Sequence, residues 1–170
     1  MTALDKAVVL IGPMGAGKTS VGKRVAKTLG VPFVDTDRVI ADEHGPIPRL
    51  FESLGEPAFR ILERDAVAAA VDHAVVVSLG GGAVLDPSTR RRLASARVIL
   101  LTVTPEAVES RIRGSERPLL HDEGLTAWRS IAEERAPIYK ALADLTIDTS
   151  RRPLSRIVDE IVEWIRTETA

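Results

Sequence analysis

The stretch Gly12-Pro13-Met14-Gly15-Ala16-Gly17-Lys18-Thr19-Ser20 fits the pattern G-x-x-x-x-G-K-[ST], that of a phosphate-binding loop. Its neighbours supply the context such a loop needs. Ahead of it, Ala7-Val8-Val9-Leu10-Ile11 is a short, β-branched apolar run suited to a buried strand. Behind it, Val21, Val25 and Leu29 recur every four residues and fall on one helical face, and Gly30 comes next as a left-handed stop. Glycines let backbone N–H groups approach phosphate oxygens, and the helix that starts near Lys18 aims its positive end at the same anion. Lys18 brings an ammonium for the β- and γ-phosphates, and Thr19 a hydroxyl that can ligate Mg2+. The stretch predicts binding of a nucleoside triphosphate and is silent on the fate of the phosphates.

Outward from the loop, apolar runs alternate with helical patterns to the end of the chain. This reads as one α/β domain over residues 1–170 with a parallel sheet. The second strand, Pro32–Asp35, runs into Asp35-Thr36-Asp37. If the strand continues, the two carboxylates project to one side at the edge where open parallel sheets place ligands. The alternative is a pair of solvated aspartates, one capping a helix that begins near Arg38. The third strand, Ala74–Leu79, ends in Gly80-Gly81-Gly82, which predicts close backbone approach to a ligand or positive φ. That strand offers Ser78 and no Asp for Mg2+, so Asp35 is the candidate carboxylate, acting through a coordinated water.

Between these strands, Ile47, Leu50, Phe51 and Leu54 mark a short helix stopped by Gly55. Pro57 suits the first turn of the next, with Phe59, Leu62 and Ala66 inward. Arg60 and Glu63 share another face and read, on spacing alone, as a surface ion pair. Asp86-Pro87 opens a helix, Arg97–Val103 is the fourth strand, and Thr104-Pro105-Glu106 caps a helix running to about Arg113. Gly114–Gly124 reads as a mobile loop whose Arg117 could close over phosphates. The next helix carries Trp128, Ile131, Arg135 and Ile138, with Arg135 near its end as a C-terminal cation. Asp144–Thr149 is the fifth strand. Pro153 opens a last helix with the apolar stripe Leu154, Ile157, Val158, Ile161, Val162 and Ile165.

Composition narrows the function classes. Lys+Arg 23 against Asp+Glu 24 gives a formal charge of −1, which argues against a nucleic-acid surface or a polybasic membrane anchor. There is no Cys, so there is no disulfide or thiolate site. No apolar run approaches membrane-spanning length, and the reading expects a soluble, cytoplasmic protein. The three histidines show no ligand spacing. A loop, carboxylates, arginines and glycines at one sheet edge imply phosphoryl transfer to a small, anionic acceptor.

In order along the chain, Gly12–Ser20, Asp35-Thr36-Asp37, Gly55-Glu56 with Phe59-Arg60 and Glu63, Gly80-Gly81-Gly82, Arg117-Pro118-Leu119-Leu120 and Arg135-Ala136-Pro137-Ile138-Tyr139 resemble the shikimate kinase family over nearly the whole length. The resemblance implies a three-layer α/β/α P-loop kinase fold, with a five-stranded parallel sheet in the order 2-3-1-4-5 and a mobile lid over about 114–126. It implies ATP-dependent phosphorylation of the shikimate 3-hydroxyl in the route to chorismate, with Mg2+ and, in expectation, a monomer. By the same likeness Asp37 is the base and meets the ring hydroxyls, Arg60 and Arg135 hold the carboxylate, and Gly81 and Gly82 line that site. Glu63 orders Arg60, and Lys18 and Arg117 act on the transferred phosphate. Thr19, and Asp35 through water, take the metal. The nucleotide falls to Gly12, Met14, Gly15, Ala16, Gly17, Lys18, Thr19, Ser20, Arg117 and Pro153, with Arg111 and Arg113 both open as the arginine on adenine. The rival readings are another small-molecule kinase, such as a gluconate kinase, and a nucleotide-binding module without catalysis. The second would be expected to have lost Lys18 or Asp37, and both are present.

Overall fold

The computed structural model describes residues 3–113 and 122–170. Val8–Ile11 forms β1, and every one of its side chains is buried. An all-apolar strand must be covered on both faces, and β1 accordingly takes the centre of the sheet. It pairs in parallel with β3 (Val76–Ser78) on one side and β4 (Arg97–Thr102) on the other. β2 (Phe33–Asp35) and β5 (Leu145–Asp148) complete a parallel sheet ordered β2-β3-β1-β4-β5, the order expected from the resemblance. Register sets the edge of the sheet. Ser78 pairs with both Leu10 and Asp35, so the carboxyl ends of β1, β2 and β3 lie level. The loop after β1, the Asp35–Asp37 segment and the triple glycine therefore leave from one edge.

The period of two along the strands builds two cores. Val8, Leu10, Ile99 and Leu101 meet α1 (Lys18–Leu29) and α8 (Leu154–Glu168), whose stripe Ile157, Ile161 and Ile165 is buried as expected. Val9, Ile11, Val98 and Leu100 face the other way. They pack against Val67 of α4 (Glu56–Val71), Leu93 of α5 (Pro87–Leu93) and Tyr139 of α7 (Asp122–Leu142). α2 (Thr36–His44) and α3 (Ile47–Leu54) close a third cluster over Phe59 through Ile40 and Leu50. α6 (Pro105–Arg113) meets α7 through Val108 and Trp128.

Three boundaries differ from the sequence reading. β2 does not continue past Asp35, because Asp35 caps α2 and the helix starts at Thr36, two residues before Arg38. Asp35 and Asp37 therefore meet by way of a strand end and a first helical turn. α7 already includes Asp122–Gly124, expected from the sequence to be loop, and it passes through Pro137 to Leu142. Arg135 is thus well inside the helix, and its reading as a C-terminal cation fails. Residues 114–121, with Arg117, lie outside the described residues.

Candidate active site

Gly12 ends β1 with φ 143°, and a Cβ there would stand 2.2 Å from the backbone oxygen of Leu101. Only glycine lets the chain leave the sheet so close to β4. From Gly12 onward, five consecutive carbonyls are held by donors. Lys18 Nζ donates to Gly12 O at 2.7 Å and Pro13 O at 3.0 Å. Trp128 Nε1 donates to Met14 O at 2.7 Å, Arg111 Nη1 to Gly15 O at 2.6 Å, and Thr149 Oγ1 to Ala16 O at 2.8 Å. A trans peptide points its N–H away from its C=O; the Ala16 N–H turns back onto Pro13 O at 3.2 Å, and the amides of Met14, Gly15 and Gly17 are the ones the harnessed carbonyls leave for an anion. Gly17 caps α1 with φ 93° and no side-chain bond, so the first amides of α1 are not taken by a capping side chain. A cavity of about 660 Å3 opens over the loop, lined among others by Met14, Gly15, Ala16, Gly17, Lys18, Thr19, Ser20, Arg111 and Arg152. Gly12, next after β1, is not among the lining residues, and Pro153 sits at the α8 cap between Arg152 and Leu154, both of which line the cavity. Arg111 is spent on the loop and on Thr149 O.

Asp35 is tied in by both oxygens. Oδ1 accepts from the backbone N–H of Asp37 and Arg38 at 3.0 and 3.3 Å, and Oδ2 accepts from Thr19 Oγ1 at 3.0 Å. The cap is thus the work of Asp35, which leaves the Asp37 carboxylate free of that duty. The donor set fits Mg2+: one hydroxyl and one carboxylate, both hard oxygens, on the wall of the phosphate-loop cavity. Among the described residues no cluster of three or more His, Cys, Asp or Glu could hold a metal.

A second cavity, of about 340 Å3, lies between α3, α4, the triple glycine and α7, with Arg60, Arg135 and Tyr139 in its walls. Met14, Asp37, Gly80 and Gly81 belong to both cavities. Arg60 reaches Glu63 at 2.8 Å and Glu56 at 3.2 Å, and Glu63 is only 3 % exposed. The surface ion pair read from spacing is therefore one between a buried carboxylate and a half-buried guanidinium in a cavity wall. Burial pushes the Glu63 carboxyl up, and the guanidinium beside it offsets part of that rise. Burial is the largest single influence on Arg60 and works against its charge, but the hydrogen bonds and negative charges of Glu63 and Glu56 together outweigh it and hold the guanidinium above its ordinary value. Asp37 is raised as well, first by burial and then by the neighbouring charge of Asp35, with Lys18 and Arg60 pulling the other way.

The glycines at the end of β3 have a different reason from Gly12. None of the three has positive φ. A Cβ on Gly80 would stand 2.6 Å from Asp37 Oδ1, and one on Gly82 2.4 Å from Arg60 Nη1. The triple glycine is the space that lets the acid and the arginine reach the cavity wall. Tyr139 secures it from behind, donating from its hydroxyl to Gly81 O at 2.6 Å. Trp128, Thr149 and Tyr139 carry no sequence signal for these roles, since each is an ordinary core-type residue that happens to aim one donor at a loop carbonyl.

A family model described as shikimate kinase matches residues 14–166. A shikimate kinase of Corynebacterium efficiens is 38 % identical over 164 residues, covering 95 % of this chain and 97 % of its own. One of Mycobacterium avium is 41 % identical over 158 residues, covering 91 % and 90 %. The structure of shikimate kinase from Acinetobacter baumannii in complex with shikimate superposes with a TM-score of 0.88 at 33 % identity, over 96 % of this chain and 94 % of that one. A gluconokinase from Sinorhizobium meliloti reaches 0.64 at 20 % identity over 96 % and 93 %, a likeness of fold alone. With a phosphate cradle and an arginine-walled cavity meeting at Asp37 and relatives matched end to end, the chain belongs to the shikimate kinase family.

Proposed function

We infer that this chain transfers the γ-phosphoryl group of ATP to the 3-hydroxyl of shikimate. The observation that carries the reading is the shared wall: the phosphate-loop cavity and the arginine-lined cavity meet at Asp37, Gly80 and Gly81. The loop amides and Lys18 take the triphosphate, with Arg117 as a further cation toward the transferred group. Arg60 and Arg135 hold the shikimate carboxylate, to which a guanidinium fork is matched. Glu63 keeps Arg60 aimed from behind. The acceptor hydroxyl lies against Asp37. Its oxygen bonds to the γ-phosphorus, the bond to the β–γ bridging oxygen breaks to release ADP, and the hydroxyl proton passes to the Asp37 carboxylate. Thr19, and Asp35 through water, would hold Mg2+, which when bound neutralises charge on the β- and γ-oxygens.

Among the described residues no helix is long and apolar enough to cross a membrane. The reading places a monomer in the cytoplasm, acting on small molecules alone. A coupled assay of ADP release with shikimate against gluconate tests it. Shikimate-dependent ADP formation with little response to gluconate is expected, and no shikimate-dependent release would end the assignment. In the same assay Arg135→Lys should raise the shikimate KM by about tenfold, as a point charge replaces a fork, and Arg117→Ala should lower kcat more than ATP affinity.

A further inference from the structure

Trp128 stands on α7 yet spends its only hydrogen-bond donor on the phosphate loop, 114 residues away in sequence. The residue is 7 % exposed, packs with Val108 of α6, and forms part of the arginine-lined cavity. One side chain therefore touches both halves of the site.

The bond it makes lies at a peptide that glycine leaves free to turn. The plane between Met14 and Gly15 is flanked by a glycine with φ 83°. Rotating a peptide plane changes ψ of the residue before it and φ of the residue after it, and glycine accepts either sign of φ. Without a fixed partner for Met14 O, this plane can turn over at little conformational cost. The turned plane would present a carbonyl oxygen to an anionic ligand and withdraw the Gly15 N–H. The next two planes have their own holders in Arg111 and Thr149. For Met14 O the holder is Trp128, on the same helix that carries Arg135.

We propose that Trp128 is a positioning residue for the nucleotide: its indole N–H locks the Met14–Gly15 peptide with the Gly15 amide turned toward the phosphates. The proposal rests on the reading of the loop as a nucleotide site and adds a residue to it. It also predicts a division of labour within one side chain, because the ring serves the acceptor cavity while the N–H serves the phosphate cradle.

The test separates the N–H from the ring. Trp128 is replaced by β-(3-benzothienyl)alanine, which keeps the shape and puts sulfur where the N–H was, and in parallel by Phe. Binding of Mg·ADP and of shikimate is measured by calorimetry, with thermal melting as a check on folding. The isosteric variant is expected to bind ADP about threefold to tenfold more weakly, the scale of one lost hydrogen bond. Its shikimate Kd should stay within about twofold, and its melting temperature should be close to that of the parent. Trp128→Phe should weaken both ligands. Unchanged ADP affinity in the isosteric variant, or equal weakening of both ligands there, overturns the positioning role. Failure of the parent protein to bind ADP at all would instead remove the nucleotide reading itself, so the two failures are told apart.

Discussion

Asp37 sits in the first turn of α2 with its carboxylate in the wall between the two cavities. Burial, then the charge of Asp35, raise its pKa above the ordinary carboxylate range. A base must be ionised, so the acid limb of kcat/KM should lie above that range as well. The same shift bears on stability. The folded-state pKa exceeds the unfolded one, so the native protein binds the proton more tightly. Ionisation then costs stability as pH rises through the raised value, and the cost is absent below the usual carboxylate pKa. Asp37→Asn should lose turnover by about a hundredfold or more while keeping ADP binding. It should also melt higher than the parent at pH 7, with the gap closing in acid. Melts from pH 4 to 8 check the second half, and a variant less stable at neutral pH would contradict it. The sequence marked Asp35 and Asp37 as a pair but could not divide their duties. A cap is a matter of which backbone N–H groups lie within reach, and here Asp35 takes both of them.

At the scale of elements, the triple glycine shows how a site is cut from close approach. Gly82 has φ −95° and ψ −1°, a negative-φ turn conformation open to alanine. In Gly82→Ala the atoms nearest the added Cβ all belong to the Arg60 guanidinium, the movable end of a long side chain. The variant should melt within a few degrees of the parent but raise the shikimate KM by about tenfold, as Arg60 is displaced from its place between the glycines and Glu63. Gly12→Ala meets a backbone oxygen that cannot yield, and that variant should fail to fold stably. Melting temperatures in the opposite order would refute the distinction. α7 carries the complementary lesson. Gly124 and Pro137 look like punctuation, costing roughly 1 and 3 kcal/mol in a helix interior. Burial of Trp128 against α6 and of Tyr139 against the sheet outweighs them, and one helix carries Arg135 to its cavity.

For the molecule as a whole, two adjoining cavities imply two separable ligand effects on folding. A ligand at a hundred times its Kd stabilises the native state by about 2.7 kcal/mol. For a chain of this size that is a rise in melting temperature of roughly 5–10 °C. Mg·ADP and shikimate should each produce such a shift in the parent protein. Lys18→Ala should lose most of the ADP shift and retain the shikimate shift, as read by differential scanning fluorimetry. Retention of the full ADP shift would deny Lys18 its place in the nucleotide cavity, and loss of both would point to a damaged fold. Far from the site, Arg97 is buried at the opposite end of β4. It donates to Asp5 at 2.5 Å and to Glu168 O at 3.4 Å, joining the segment before β1 to the end of α8. That contact holds Asp5 below the usual carboxylate range.

The sequence by itself determined the loop, the strands, the apolar faces of α1 and α8, and the order of motifs that places the acids and glycines at strand ends. These are local properties: a period of two or of 3.6, a glycine stop or a capping residue is complete within a dozen positions. Only the tertiary structure decided that Glu63 is buried behind Arg60, that Gly80 and Gly82 make room for side chains, and that Trp128, Arg111 and Thr149 hold the loop from outside. Each of those facts is a contact between side chains and backbone brought together by the fold. A residue's own neighbours fix which way it faces on its helix or strand, but what it meets there depends on how the elements close around the sheet.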